Sequence, residues 1–214
     1  MDFPRARLLV FAKAPVPGRA KTRLIPSYGA RGAARIQRHL LWRTLAIARG
    51  AGLCPVELWC APTPAHGFFH VCRRMFDVPL RRQARGNLGR RMHHALSRSL
   101  QTHDAAVLIG ADCLTLDATQ LRNALAALTA GQDAVLGPVR DGGYWLIGLR
   151  RPRAELFRGI RWSTPEVAAA TRRRLRRAGL RWAELPPGVD VDRFGDLRGG
   201  PARAARILHP ADLS

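Results

Sequence analysis

Four cations stand close together near the start of the chain. Lys13, Arg19, Lys21 and Arg23 fall within 11 residues, and no acid stands among them. No Asp or Glu occurs anywhere between Asp2 and Glu57. Convergent ammonium and guanidinium groups match a di- or triphosphate and stabilise charge that develops on a leaving phosphate. Gly18 lets the backbone turn and approach a ligand closely, while Pro15 and Pro17 stiffen the segment. The segment is no Walker loop, because G-x-x-x-x-G-K-[ST] is absent; Gly18-Arg19-Ala20-Lys21-Thr22 has its own spacing. The choice of lysine is informative. The chain has 36 Lys and Arg, and the only lysines are Lys13 and Lys21. Lysine is a compact point charge where arginine is a planar fork, so its retention here points to a local requirement. The plain alternative is a solvated basic turn.

The acids form a complementary set. Asp112 lies in Gly110-Ala111-Asp112-Cys113, directly after an apolar run. A carboxylate there can hold Mg²⁺ or Mn²⁺ between protein and phosphates, since such sites use one or two carboxylates plus phosphate oxygens. Asp117 is the better helix cap, which leaves Asp112 for function. Asp190-Val191-Asp192, with Asp196 beyond, places two acids on one side of an extended segment. A second metal ligand, arginine pairing and helix capping all fit that cluster. Asp141-Gly142-Gly143 is a turn signal followed by Tyr144 and Trp145, either a plain hairpin or a substrate wall. Trp162-Ser163-Thr164 can line an acceptor site at a helix N-terminus.

These residues need a frame, and the hydrophobic pattern supplies an alternation of strand and helix. Strands are expected at Arg7–Ala12, Val56–Ala61, Val78–Gln83, Ala105–Ile109, Ala134–Gly137, Tyr144–Leu149 and Leu180–Leu185. Helices are expected at Ala30–Arg49, His66–Met75, Gly89–Gln101 and Asp117–Thr129. A last helix is expected from Ser163-Thr164-Pro165-Glu166, read as a cap with Pro in the first turn, to near Gly179. Continuous apolar strands alternating with helices predict a mostly parallel α/β sheet covered on both faces, in one domain over residues 1–214. Ligands of such sheets bind beyond the carboxyl ends of the strands. The cation loop and Asp112 both follow strands in this way.

Composition narrows the function classes. The chain has 214 residues, 47% hydrophobic and 24% charged, which describes a globular protein able to bury a core. No apolar run reaches the roughly 18 residues of a membrane span, and the sequence enters its first strand without a signal-peptide pattern, so a cytoplasmic protein is expected. The net charge of +21 attracts anions. It arises almost wholly from arginine in an Ala-rich chain, which coding bias also produces, and no nucleic-acid-reading motif accompanies it. The four cysteines form no C-x-x-C pair and read as reduced thiols. His66 and His70 lie four apart with no third ligand in view.

Taken in order, the motifs resemble a bacterial family, the radical-SAM/selenodomain-associated transferases of type 1, proposed to be glycosyltransferases of the nucleotide-diphospho-sugar transferase superfamily. The resemblance runs from Leu8 to about Leu197 and rests on F-x-K-x-P-x-P-G-R-x-K-T-R-L at 11–24, G-x-L-G-x-R-M at 86–92, G-x-D-C at 110–113, G-P-x-x-D-G-G-Y at 137–144, W-S-T at 162–164 and D-V-D at 190–192. It implies a GT-A-like fold. It implies that Lys13, Gly18, Arg19, Lys21, Thr22 and Arg23 hold nucleotide phosphates, and that Asn87 and Arg91 approach the base or ribose. Asp112 and Asp192 would bind the metal, and Asp141, Gly142, Gly143, Tyr144, Trp162, Ser163 and Thr164 would face the acceptor. Two departures stand out. Asn87 replaces the family's usual Asp, and Leu114 replaces the usual Pro after Asp-Cys. The leading expectation is metal-dependent glycosyl transfer from a nucleotide sugar to a small acceptor, with Lys21, Arg23 and Asp112 as the catalytic set. Nucleotidyl transfer from a nucleoside triphosphate, with release of pyrophosphate, uses the same loop. A basic nucleic-acid-binding module and a degenerate, inactive transferase are the remaining alternatives.

Overall fold

The computed structural model describes residues 1–192, so Asp196 lies outside the described residues. Seven strands form one sheet: β1 (Ala6–Lys13), β2 (Val56–Ala61), β3 (Leu80–Arg82), β4 (Ala105–Gly110), β5 (Ala134–Pro138), β6 (Tyr144–Leu149) and β7 (Trp182–Glu184). Their order is β3-β2-β1-β4-β6-β5-β7. All neighbouring pairs are parallel except those that β6 makes with β4 and β5. The helices are α1 (Ile25–Gly50), α2 (Gly67–Phe76), α3 (Leu88–Ser99), α4 (Ala118–Thr129) and α5 (Val167–Arg177).

Alternation along β1 shows how the sheet is covered. Leu8, Val10 and Ala12 join a core with Leu41 and Leu45 of α1, Phe69 of α2 and Leu125 of α4. Leu9 and Phe11 join the opposite core with Met92 and Leu96 of α3 and Leu175 of α5. Because successive strand residues point to opposite faces, an uninterrupted apolar strand must be covered on both. The expected α/β architecture with a mostly parallel sheet is therefore the observed one. No helix among the described residues is long and apolar enough to cross a membrane. The four cysteines are unbonded to one another and buried.

The start of α5 departs from expectation. Ser163 has φ 65 in the left-handed region, and the Thr164 hydroxyl donates to the Arg161 carbonyl at 2.8 Å. Neither hydroxyl accepts from a first-turn amide, the Glu166 carboxylate pairs with Arg161 at 2.7 Å, and the helix begins at Val167 without a side-chain cap. The segment is set instead by the β5–β6 turn. Gly142 has φ +89, its carbonyl accepts from Ala168 N at 2.8 Å, and a Cβ there would stand 1.9 Å from the Pro165 carbonyl oxygen. The turn and the approach to α5 therefore dock backbone to backbone.

That contact sets a stability prediction. Gly142→Ala adds an unfavourable φ and a backbone collision, worth about 1–3 kcal/mol. The melting temperature should fall by roughly 2–12 °C, and an unchanged melting curve would show that the turn does not dock as described.

Candidate functional site

A cleft of about 1010 Å³ opens at the carboxyl ends of β1 and β4. Lys13, Arg19, Lys21, Thr22, Arg23, Arg91, Asp112, Asp141, Gly143, Tyr144, Trp162, Ser163, Thr164 and Asp192 line it. Gly18, Asn87 and Gly142 do not. Gly18 (φ +75) turns the loop, Asn87 caps α3 by accepting from Arg90 N at 2.9 Å, and Gly142 docks on Pro165.

The cation loop is folded rather than open. Arg19 N and Ala20 N both donate to the Val16 carbonyl at 3.0 Å, and Ala20 is buried. Lys21 then adopts φ 47, ψ 47, a left-handed conformation that costs a non-glycine residue about 1–2 kcal/mol. Its side chain explains why that conformation is held. The ammonium lies 2.8 Å from Asp112 Oδ2, donates to the Val191 carbonyl at 2.6 Å, and leaves the side chain only 6% exposed. Arg23 Nη1 meets Asp192 Oδ2 at 2.6 Å. Among the described residues no carboxylate lies within ion-pair distance of Lys13 or Arg19. Two cations are thus tied to acids, and two remain available to an anion.

The acidic segments are held to each other. Asp112 O accepts from Val191 N at 3.1 Å, Val189 O accepts from Leu114 N at 2.8 Å, and Cys113 and Asp190 form an antiparallel bridge. Leu114 and Val191 pack with Leu24, Ile36 and Leu40, so Leu114 anchors the segment by burial where the family resemblance implies a proline. Among the described residues Asp190 Oδ1 has no hydrogen-bond partner, and it is sealed from solvent. Burial, and then the neighbouring Asp112, push its carboxyl up to about 7; Lys21 opposes the shift, while Asp141 and Asp192 add to it. Hard oxygen donors of this kind suit Mg²⁺ or Mn²⁺. Among the described residues no three His, Cys, Asp or Glu side chains form a ligand set by themselves. A divalent ion held by these described residues would share its coordination with ligand oxygens.

The opposite wall is aromatic. Tyr144 and Trp162 meet edge to face at 6.3 Å, and Tyr144 OH donates to Met92 Sδ at 3.9 Å. Burial raises the Tyr144 phenol above its ordinary range. Asp141 Oδ1 accepts from Gly143 N at 3.2 Å, which orders the turn. Three polar cleft residues carry no role in the sequence reading. Gln37 sits within the apolar stripe of α1, Arg140 lies beside the Asp-Gly-Gly turn, and Gln83 follows β3. A polar residue at the carboxyl end of a strand was the available signal for Gln83.

Asp190 gives a pH prediction. Its folded pKa lies above the unfolded carboxylate value, so deprotonation favours the unfolded chain as pH rises from about 4 to about 7. Asp190→Asn removes this penalty, and its melting temperature should exceed the native one by more at pH 8 than at pH 4.5. A difference independent of pH would contradict the buried-carboxyl description.

Comparison with known proteins places this geometry. The family model described as "uncharacterized protein conserved in bacteria (DUF2064)" matches residues 44–164. No curated protein matches the sequence. A crystal structure from Desulfovibrio desulfuricans G20, described as a proposed nucleotide-diphospho-sugar transferase, is 30% identical with a TM-score of 0.85, covering 98% of this chain and 97% of that one. CMP:2-keto-3-deoxy-manno-octonic acid synthetase complexed with CTP is 13% identical with a TM-score of 0.56, over 96% and 99% of the two chains. The inositol-1-phosphate CTP transferase of T. maritima is 10% identical with a TM-score of 0.60, over 98% and 96%. The last two share the fold alone. With a family match over more than half its length and a 30%-identical relative over nearly all of it, the chain belongs to the DUF2064 family and has the fold of the nucleotide-diphospho-sugar transferases.

Proposed function

We propose that the protein is a transferase using a nucleotide-activated donor, and that the cleft carries glycosyl transfer from a nucleotide sugar to a small acceptor. The observation that carries this reading is the meeting of two charge sets in one cleft. Lys13, Arg19, Lys21 and Arg23 face Asp112, Asp190 and Asp192, with Lys21 already on Asp112. A lone cation patch suits any anion. Cations beside clustered carboxylates suit an anion that arrives with a divalent metal. The relative described as a proposed nucleotide-diphospho-sugar transferase supports the donor class.

In this reading Lys13 and Arg19 engage the donor diphosphate first, because no acid among the described residues holds them. Lys21 and Arg23 exchange part of their carboxylate contacts for phosphate oxygens. Asp112 and Asp192 hold Mg²⁺ or Mn²⁺, and Asp190 adds a third carboxyl to the same pocket. Bound there, the ion neutralises charge on the diphosphate. An acceptor hydroxyl, placed against Tyr144 and Trp162, bonds to the anomeric carbon as the bond from that carbon to the diphosphate breaks, and the hydroxyl proton passes to solvent. The nucleoside diphosphate leaves against Lys21 and Arg23. No general base is assigned. The narrower membership in the radical-SAM/selenodomain-associated transferases rests on the order of the motifs. Nucleic acid is not needed to explain the basic residues that line the cleft.

One observation favours a second reading. The fold neighbours include an enzyme complexed with CTP and a CTP transferase. An acceptor phosphate attacking the α-phosphate of a nucleoside triphosphate would use the same cations, with pyrophosphate leaving.

Product analysis separates the two. Purified protein is incubated with Mg²⁺ or Mn²⁺ and a panel of nucleotide sugars or nucleoside triphosphates, with sugars and sugar phosphates as acceptors. Nucleoside diphosphate is expected from the first panel; pyrophosphate from the second would install the alternative. Lys21→Ala should weaken nucleotide binding by at least about tenfold, and Asp112→Ala should abolish its metal-dependent part. Native affinity and metal response in both variants would contradict the site.

A further inference from the structure

Gln83 follows β3 directly and is buried, 5% exposed. Its amide is committed on every side. Nε2 donates to the Trp59 carbonyl at 2.7 Å and to the Ala12 carbonyl at 3.2 Å, near the carboxyl ends of β2 and β1. These two acceptors fix which way round the amide sits, since an oxygen in that place would face two carbonyl oxygens. Oε1 is thereby turned to Arg91, and it accepts from both Nε, at 2.8 Å, and Nη2.

Arg91 lies one helical turn from Leu88 and next to Met92, and all three line the cleft. Desolvation lowers its guanidinium from the ordinary value. Among the described residues no carboxylate lies within ion-pair distance of it. Gln83 consumes the Nε–H and one Nη2–H. The two Nη1 hydrogens and the second Nη2–H remain, so the end-on fork of the guanidinium is intact. A half-buried cation without a counter-charge is unfavourable unless something pairs with it. A strand staple alone would need only the two Nε2 contacts and would leave Arg91 to rotate.

We propose that Gln83 is a positioning residue: it ties the ends of β1 and β2 to Arg91 and presents the free fork of the guanidinium to a ligand group with two adjacent hydrogen-bond acceptors. A nucleobase edge and a phosphate both carry such a pair. The inference rests on the nucleotide-using reading above and adds to it the residue that presets the binding fork.

The test is a calorimetric double-mutant cycle with CTP, UTP, GTP, ATP and inorganic tripolyphosphate, on the native protein, Gln83→Met, Arg91→Met and the double variant. Each single change should weaken binding of at least one nucleotide by about tenfold, the loss expected for a hydrogen bond to a charged group. The double variant should be no weaker than the weaker single one, because Gln83 acts through Arg91. A loss confined to nucleotides, with tripolyphosphate unaffected, assigns the fork to a base edge; an equal loss for tripolyphosphate assigns it to phosphate. Losses that add in the double variant, or native affinity in a folded Gln83→Met, would overturn the inference while leaving the nucleotide reading standing. Arg91→Lys keeps the charge and the strand contacts but lacks the fork, so it decides the matter if Gln83→Met does not fold; native affinity there also overturns the inference. A native protein that binds neither nucleotide nor tripolyphosphate would sink both.

Discussion

The contact on which the site depends is the buried ammonium of Lys21 between Asp112 and the Val191 carbonyl. It joins three segments that are far apart in sequence: the loop after β1, the loop after β4 and the segment after β7. Without a cation there, Asp112, Asp190 and Asp192 would repel one another in a partly desolvated pocket, where charge interactions are stronger than in water. Without Asp112, the left-handed backbone at Lys21 would lose the ion pair that helps to hold it. Each side of the contact therefore compensates a cost on the other.

The rest of the molecule serves to deliver those segments. A mostly parallel sheet brings the ends of β1 and β4 together, since Ala6 to Phe11 pair with Ala105 to Gly110. The reversed strand β6 carries the Asp141–Tyr144 turn to the same edge, where Gly142 locks it onto the approach to α5. The small apolar cluster of Leu24, Ile36, Leu40, Leu114 and Val191 lies under the cation loop and the acidic segments. Changes in that cluster should therefore be felt at the site, though none of the five lines the cleft.

Much of this was legible in the residue order. Strands buried on both faces are long apolar runs, so β1, β2 and β4 were readable, and Val56–Ala61 agrees to the residue. Asp117 was readable as a cap and forms a full capping box. The start of α5 was not, because a hairpin turn distant in sequence, rather than local capping, sets it. Nor could the sequence distinguish Asp190 from Asp192. Spacing places both on one extended segment, while the ion pair with Arg23 and the sealed Oδ1 appear only when the chain is folded. Gln83 was signalled only by its place at the carboxyl end of a strand; its partners lie on two other strands and a helix, which no local pattern encodes.

The most direct test of the account is a crystal structure of the protein grown with a nucleoside triphosphate and Mn²⁺, with data collected for anomalous scattering from manganese. The account predicts one anomalous peak beside Asp112 and Asp192, with phosphate oxygens on Lys13, Arg19 and Lys21 and the Lys21–Asp112 contact lengthened. Manganese or nucleotide ordered elsewhere, with Lys21 still closed on Asp112, would contradict it.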